Sequence, residues 1–261
     1  MSNMLSVVTV CFNNLEELKT TIQSVDKQLM LPEEHLIIDG STRTEIQDFL
    51  ENTPQPPYRK WICEPDKGIS DAFNKGITNA TCKIVHLLNS GDYYFDENAI
   101  KNAIQAFKDD EHLQWLHGKY AQFRGGAWVM SGKPFDPKLL YRGMRQLGHQ
   151  TFFVKKIMYD RYGLFNLSLK MAMDYDFIVR IAKEKFHFLD KPITVFTPGG
   201  ISSNQFKNSL KETREVYEKY YGFSIKSRLW MLRSFLLAWF TNETGMGKWL
   251  FQLKNKAEID N

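Results

Sequence analysis

The chain has 261 residues, 43% of them hydrophobic and 25% charged, with a formal net charge of +4. That composition supports one large packed domain, or a domain with an appendage, and excludes global disorder. The mild positive excess suits anionic substrates or an anionic membrane surface; nucleic acid is not expected as a partner.

Residues 5–12 are a β-branched apolar run that reads as a buried parallel strand, broken by Phe12-Asn13-Asn14. The start runs straight into Leu5-Ser6-Val7-Val8 with no basic, long apolar leader, so a cytoplasmic location is expected. Leu15, Leu18, Ile22 and Val25 give the period of a helix over 15–28. His35 to Ile38 is a second strand ending on Asp39-Gly40-Ser41-Thr42, and Ile46 to Leu50 a short helix. After a proline-rich loop at 52–57, Tyr58 to Cys63 is a third strand and Ile69 to Asn79 a helix. Lys83 to Leu88 and Glu97 to Phe107 repeat the strand and helix. Strands and helices alternating with short connections predict an α/β fold with a mostly parallel, doubly wound sheet.

After about residue 112 the pattern changes. Leu113 to Gly118 and Ala127 to Met130 read as strands of an antiparallel addition. Leu139 to Leu147 is helix-like, Thr151 to Val154 a short strand, Met173 to Ala182 a helix and Pro192 to Phe196 a closing strand. From about residue 204 the composition shifts to two helices, 210–221 and 227–240, rich in Arg, Lys, Trp, Leu and Phe. The expected division is a domain over 1–204, with halves at about 1–111 and 112–204, and a helical extension over 205–261. The three cysteines, Cys11, Cys63 and Cys82, lack CxxC spacing and read as buried thiols of a reducing compartment.

Strand ends carry the chemistry. Asp39 closes a buried strand and is followed by small residues that allow close backbone approach. Its carboxylate suits the N–H of a base or a ribose hydroxyl, and equally a turn or helix cap. In Glu64 to Gly76, a glycine-containing loop opens a helix and can offer backbone N–H groups to phosphate. Lys67, Lys75, Asp71 and Asn74 would then line it; a solvated helix face explains the same spacing. Ile84 to Leu88 breaks into Asn89-Ser90-Gly91-Asp92, which puts one carboxylate at the mouth of the sheet. One carboxylate there suits one position on a hard divalent cation, with substrate phosphates filling others.

Taken together these segments resemble inverting family 2 glycosyltransferases of the GT-A fold, of the bacterial surface-polysaccharide branch. The start from Val7 to Val25 resembles the family's opening strand and helix. Ile37-Ile38-Asp39-Gly40-Ser41-Thr42 resembles its IIDGGSTDGT, and Glu64 to Ile77 its EPDKGIYDAMNKGI. Leu88-Asn89-Ser90-Gly91-Asp92 resembles LNSDD, and Gly148-His149-Gln150 with Met173 to Ala182 its HQ segment and acidic helix. The match spans roughly residues 4–202. It implies a Rossmann-like, mostly parallel central sheet with helices on both faces, a small antiparallel addition and a helical C-terminal tail.

The resemblance also implies roles. Thr9, Cys11, Asn13 and Asp39 hold the nucleotide, and Asp66, Lys67, Gly68, Asp71, Asn74, Lys75, Asn89 and Ser90 line the nucleotide-sugar pocket. Asp92 meets a divalent cation, Mg2+ or Mn2+, on the donor diphosphate. Asp174 is the catalytic base, and His149 and Gln150 lie on the acceptor side. The chain departs from the family at Gly91, where an acid is commoner, and at Met173, where the usual acidic predecessor of Asp174 is absent. The implied reaction moves a sugar from a nucleotide-diphospho-sugar to a glycan or lipid-linked acceptor with inversion, in polysaccharide biosynthesis.

Two alternatives stand beside it. A sugar-nucleotide nucleotidyltransferase is expected to carry a basic, glycine-rich loop after the first strand, where this chain has Cys11-Phe12-Asn13-Asn14. An inactive nucleotide-sugar-binding scaffold of the same fold would fit the departures at Gly91 and Met173. Residues 227–240 are too short and too charged to span a bilayer. They suit an interfacial helix on the inner face of the cell membrane, or packing onto the domain or a second copy in a homodimer.

Overall fold

The computed structural model describes residues 4–124, 127–145, 147–197 and 206–243. Strands β1 (Leu5–Cys11), β2 (Glu34–Asp39), β3 (Arg59–Cys63) and β4 (Ile84–Leu87) lie side by side in the order β3-β2-β1-β4, all parallel. Their near-continuous apolar runs follow from burial on both faces. Val8, Val10 and Ile38 face helix α3 (Ile69–Asn79) through Ala72, Phe73 and Ile77. Their neighbours Cys11 and Ile37 face the other way, onto α1 (Leu15–Asp26) and α2 (Glu45–Asn52) through Leu18, Ile22, Ile46 and Leu50. Helix α4 (Ala99–Asp109) buries Ile100, Ala103, Ile104 and Phe107 against Leu5, Val7 and Ile84. The expected doubly wound sheet is therefore present, because period-2 strands meet period-3.6 helices on each side.

The sheet continues with β8 (Phe153–Lys155) antiparallel to β4, and β6 (Trp115–Arg124) antiparallel to β8. Strand β5 (Tyr93–Tyr94) closes the far edge beside β9 (Phe186–Phe196), and β7 (Ala127–Ser131) pairs with β6. The closing strand expected over 192–196 starts earlier, at Phe186, and β9 runs parallel to β6. The pairing slips between Gly118 and Tyr120, where Lys119 faces Pro192. A bulge there tolerates the missing proline N–H and lets one long strand form.

The expected helix over 139–147 is a 3-10 turn over Pro137–Arg142. It stops because Gly143 takes φ +71°, which a continuing helix cannot use. Helices α5 (Lys156–Tyr162), α6 (Met173–Ile181), α7 (Phe206–Tyr221) and α8 (Ile225–Glu243) complete the described chain. One apolar core runs from Val8 and Ile38 through Trp115, Tyr175 and Phe177 to Val216 of α7. All three cysteines are free thiols, and Cys63 is half-buried while Cys11 and Cys82 are buried.

Candidate active site

The parallel strands end together and place their polar residues along one edge. Cys11, Asp39 and Cys63 stand in register across β1, β2 and β3. Asp39 is buried; its Oδ1 accepts the Ser41 N–H at 3.0 Å and lies 3.7 Å from the Cys11 thiol. Burial and the Asp39 charge push the Cys63 thiol up to about 11 and that of Cys11 higher still, so both stay protonated as weak donors. A carboxylate held by one amide and weak thiol donors keeps acceptor capacity for a ligand. Phe12, at the end of β1, is 57% exposed beside this row.

Two of the expected nucleotide residues serve the scaffold. Thr9 is fully buried, and its hydroxyl meets His35 Nε2 at 3.0 Å inside the sheet. Asn13, at φ +52°, spends its side chain on the β2 loop, where Oδ1 accepts the Thr42 and Arg43 N–H groups at 3.2 and 3.3 Å. The side chain of Asn13 thus fixes the two loops to each other.

The loop before α3 is braced from within. Asp66 accepts the Gly68 N–H at 2.8 Å, and Asp71 accepts the Lys67 N–H at 2.9 Å. Lys75 donates to the Pro65 carbonyl at 2.7 Å and pairs with Glu64 at 2.9 Å. Asn74 clamps the backbone of Phe165 by two bonds of 2.9 Å, so it faces the protein. Gly68 opens α3 at φ +112° with no atom within 4 Å of where a Cβ would stand, which leaves its backbone open to a ligand.

Beyond β4, Ser90 and Asn89 are held over the site with two buried oxygens unsatisfied: the Ser90 hydroxyl and Asn89 Oδ1. The Asn89 amide nitrogen lies 3.0 Å from His149 Nε2. His149 Nδ1 in turn lies 3.9 Å from Asp174 Oδ2. The two ring nitrogens of His149 thus lie between the Asn89 amide and the Asp174 carboxylate. Three separate elements thereby converge on one chain of polar groups. Gln150, next to His149, is buried, and its amide nitrogen packs against Gly148.

Asp174 stands in the first turn of α6 with 23% of its side chain exposed. It borders a cavity of about 140 Å³ walled by Phe73, Phe152, Phe165, Met173 and Phe177. Loss of water against these walls raises its carboxyl above the ordinary range, opposed by His149 and the Tyr175 N–H. Its neighbour Met173 points inward, where its sulfur takes the Ser70 hydroxyl at 2.7 Å. Asp176 is equally structural: buried, it holds Arg180 at 3.0 Å and the Tyr220 hydroxyl at 2.9 Å.

Asp92 is buried below the site. Its Oδ1 accepts the Thr197 N–H at 3.0 Å. Burial pushes its carboxyl up to about 6, against the pull of His149 and the Thr197 amide. Gly91 adopts φ +98°, which favours glycine and explains why no acid stands there. Among the described residues no group of three or more His, Cys, Asp or Glu is placed to hold a metal. Asp92 and the unsatisfied Asn89 Oδ1 fit a cation that draws its remaining ligands from a bound phosphate and water.

One residue with no signal in the sequence acts on this site from the tail. Glu212 of α7 accepts the N–H groups of Lys170, Met171 and Ala172 at 3.3, 2.9 and 3.0 Å. It thereby fixes the segment that leads into Asp174. A lone glutamate in a charged amphipathic helix gives no hint of such a role.

Residues 6–167 match the model of glycosyl transferase family 2. The chain is 28% identical over 227 residues to an uncharacterized glycosyltransferase of Mycobacterium tuberculosis, covering 82% of this chain and 84% of that one. It is 23% identical over 185 residues to a PGL/p-HBAD biosynthesis glycosyltransferase of Mycobacterium bovis, covering 68% and 69%. Among solved structures it resembles Staphylococcus aureus TarS 1-349 in complex with UDP-GlcNAc, with a TM-score of 0.62 at 18% identity over 92% of this chain and 73% of that one. It also resembles a Pyrobaculum calidifontis mannosyltransferase in complex with GDP-Man and Mn2+, with a TM-score of 0.60 at 12% identity over 99% and 81%.

Proposed function

The chain belongs to glycosyl transferase family 2, and from that premise we propose that it moves a sugar from a nucleotide-diphospho-sugar to a hydroxyl of a glycan or lipid-linked acceptor, with inversion, in polysaccharide biosynthesis. The observation that carries this is the convergence of Asn89, His149 and Asp174 beside the strand ends that present Asp39. The UDP-GlcNAc bound by TarS and the GDP-Man bound by the mannosyltransferase support a nucleotide-sugar donor.

In this reading the donor lies against residues 1–111. Asp39 accepts the base N–H or a ribose hydroxyl, and Phe12 offers a ring face for stacking. The N-terminus of α3, opened by Gly68 with Lys67 beside it, directs positive potential at the diphosphate. A divalent cation, Mg2+ or Mn2+, would be held by Asp92 and Asn89 together with the donor and would supply positive charge to the leaving group.

The acceptor lies against residues 112–204, with His149 and Gln150 on its side of the site. Asp174 takes the proton of the acceptor hydroxyl as that oxygen attacks the anomeric carbon opposite the leaving diphosphate. Its raised pKa makes it a stronger base than an exposed aspartate, and the neighbouring His149 opposes that rise. One displacement inverts the anomeric centre.

A thermal-shift screen of UDP-, GDP- and dTDP-sugars with Mg2+ and Mn2+ tests the donor site. One nucleotide class is expected to raise the melting temperature by mass action. Asp39→Asn is expected to weaken that binding about tenfold, equal to roughly 1.4 kcal/mol. No shift across the whole panel would contradict the reading, as would a product whose anomeric configuration, read by NMR, is retained.

A further inference from the structure

Helix α8 is built inside out. Ser227 and Ser234, seven residues apart, are buried against the body, and the Ser234 hydroxyl has no partner there. Ile225, Leu229, Leu232, Leu236 and Trp239 are exposed. Their spacing alternates between four and three residues, so they form one continuous stripe along the outer side. No helix among the described residues is long and apolar enough to cross a membrane.

The charges beside that stripe are mostly basic, although Arg228 is paired with Glu218 of α7 by bonds of 2.9 and 3.1 Å. Within α8, Lys226, Arg228 and Arg233 stand on its flanks, and the one acid, Glu243, is the last residue. The guanidinium groups of Arg142, Arg145 and Arg233 lie 4.9, 5.2 and 4.9 Å from the ring of Trp230. Arg228 lies 4.5 Å from the Phe223 ring, and Lys207 5.2 Å from the Phe235 ring. Cations stacked on rings at the margin of an apolar stripe can keep their charge in water while their stems lie on apolar surface.

We propose that α8 docks this protein flat on an anionic lipid surface, its stripe in the acyl boundary and its flanking arginines among the headgroup phosphates. The excess of basic groups on its flanks weighs against a second copy. A helix pair closing on this stripe would bring Arg and Lys against Arg and Lys, where paired helices need opposite charges.

The surface is joined to α6 through a short chain of contacts. Arg142 ends the 3-10 turn in which the Leu140 carbonyl accepts the Tyr175 hydroxyl at 2.6 Å, and Tyr175 follows Asp174. If the transfer reading holds, a lipid-linked acceptor would reach Asp174 from this side; the docking itself does not depend on that reading.

Vesicle flotation of the full chain tests the docking, with light scattering on the same preparations. The chain is expected to float with vesicles of phosphatidylcholine and phosphatidylglycerol, less so as salt rises, and not with phosphatidylcholine alone. Leu232→Glu with Leu236→Glu is expected to cut the bound fraction at least tenfold while the melting temperature stays near that of the wild type. If that pair fails to fold, Arg142→Ala with Arg233→Ala is expected to lower the bound fraction and flatten its salt dependence. Flotation with neither vesicle, or undiminished flotation of a folded variant, overturns the proposal. A dimer that dissolves in the leucine pair without any flotation also overturns it, in favour of a second copy.

Discussion

Asp39 and Gly91 show how differently single residues can be read. The strand-end place of Asp39 was legible from the apolar run before it; that it stands in register between Cys11 and Cys63 and that its Oδ1 takes the Ser41 N–H are seen only in the structure. Thr9 was not legible: a threonine inside a β-branched run gives no sign that its hydroxyl turns inward to His35. Asn74 has the right spacing for a ligand and is spent on the Phe165 backbone, a contact 91 residues away that no local pattern reveals. Gly91 looked like a lost acid, and its φ of +98° makes it the residue this turn favours. Gly91→Asp is therefore expected to cost about 1–3 kcal/mol of stability through backbone strain. Chemical denaturation would measure it; an unchanged midpoint would mean that the turn relaxes without strain.

At the scale of elements, the four parallel strands and the helices between them follow from their apolar periods. The second half was less legible because its pairings depend on contacts distant in sequence. The register slip opposite Pro192 lengthens β9 beyond what a proline suggests. The helical tail carries the clearest surprise. Helix α7 grips α6 at both ends of its first turn, through Glu212 on the preceding N–H groups and Tyr220 on Asp176. Removing an ionised acceptor from three amides costs on the order of 1–3 kcal/mol. Glu212→Ala is expected to lower the melting temperature and to reduce kcat more than the donor KM, because it loosens the segment leading into Asp174. Glu212→Gln, which keeps one acceptor oxygen, should recover part of both. Equal kcat in all three proteins would confine α7 to packing.

Across the whole molecule, three histidines are buried neutral. Burial pulls the imidazoles of His35 and His117 down to about 3 and that of His86 to about 4. Each is depressed below its unfolded value near 6.5, so the unfolded chain binds protons that the native fold refuses. Stability is fully present above that value and is lost as pH falls through it toward 4, by about 1.4 kcal/mol per pH unit for each imidazole. Asp92, raised to about 6, works in the opposite direction and offsets part of the loss. Neither nitrogen of His117 has a partner, and its ring packs among Trp115, Phe135, Phe152, Phe186 and Phe188. His117→Phe is therefore expected to flatten the fall of melting temperature between pH 7 and 5, and an unaltered slope would contradict this assignment. In the proposed reaction sugar transfer depends on Asp174, where the three-element chain of polar groups ends. Its most direct test is sugar transfer by Asp174→Asn, with donor binding followed by calorimetry on the same protein. Transfer should fall at least a thousandfold, about 4 kcal/mol of barrier, while donor affinity stays within a few-fold of the wild type. Transfer at the wild-type rate would rule out Asp174 as the base.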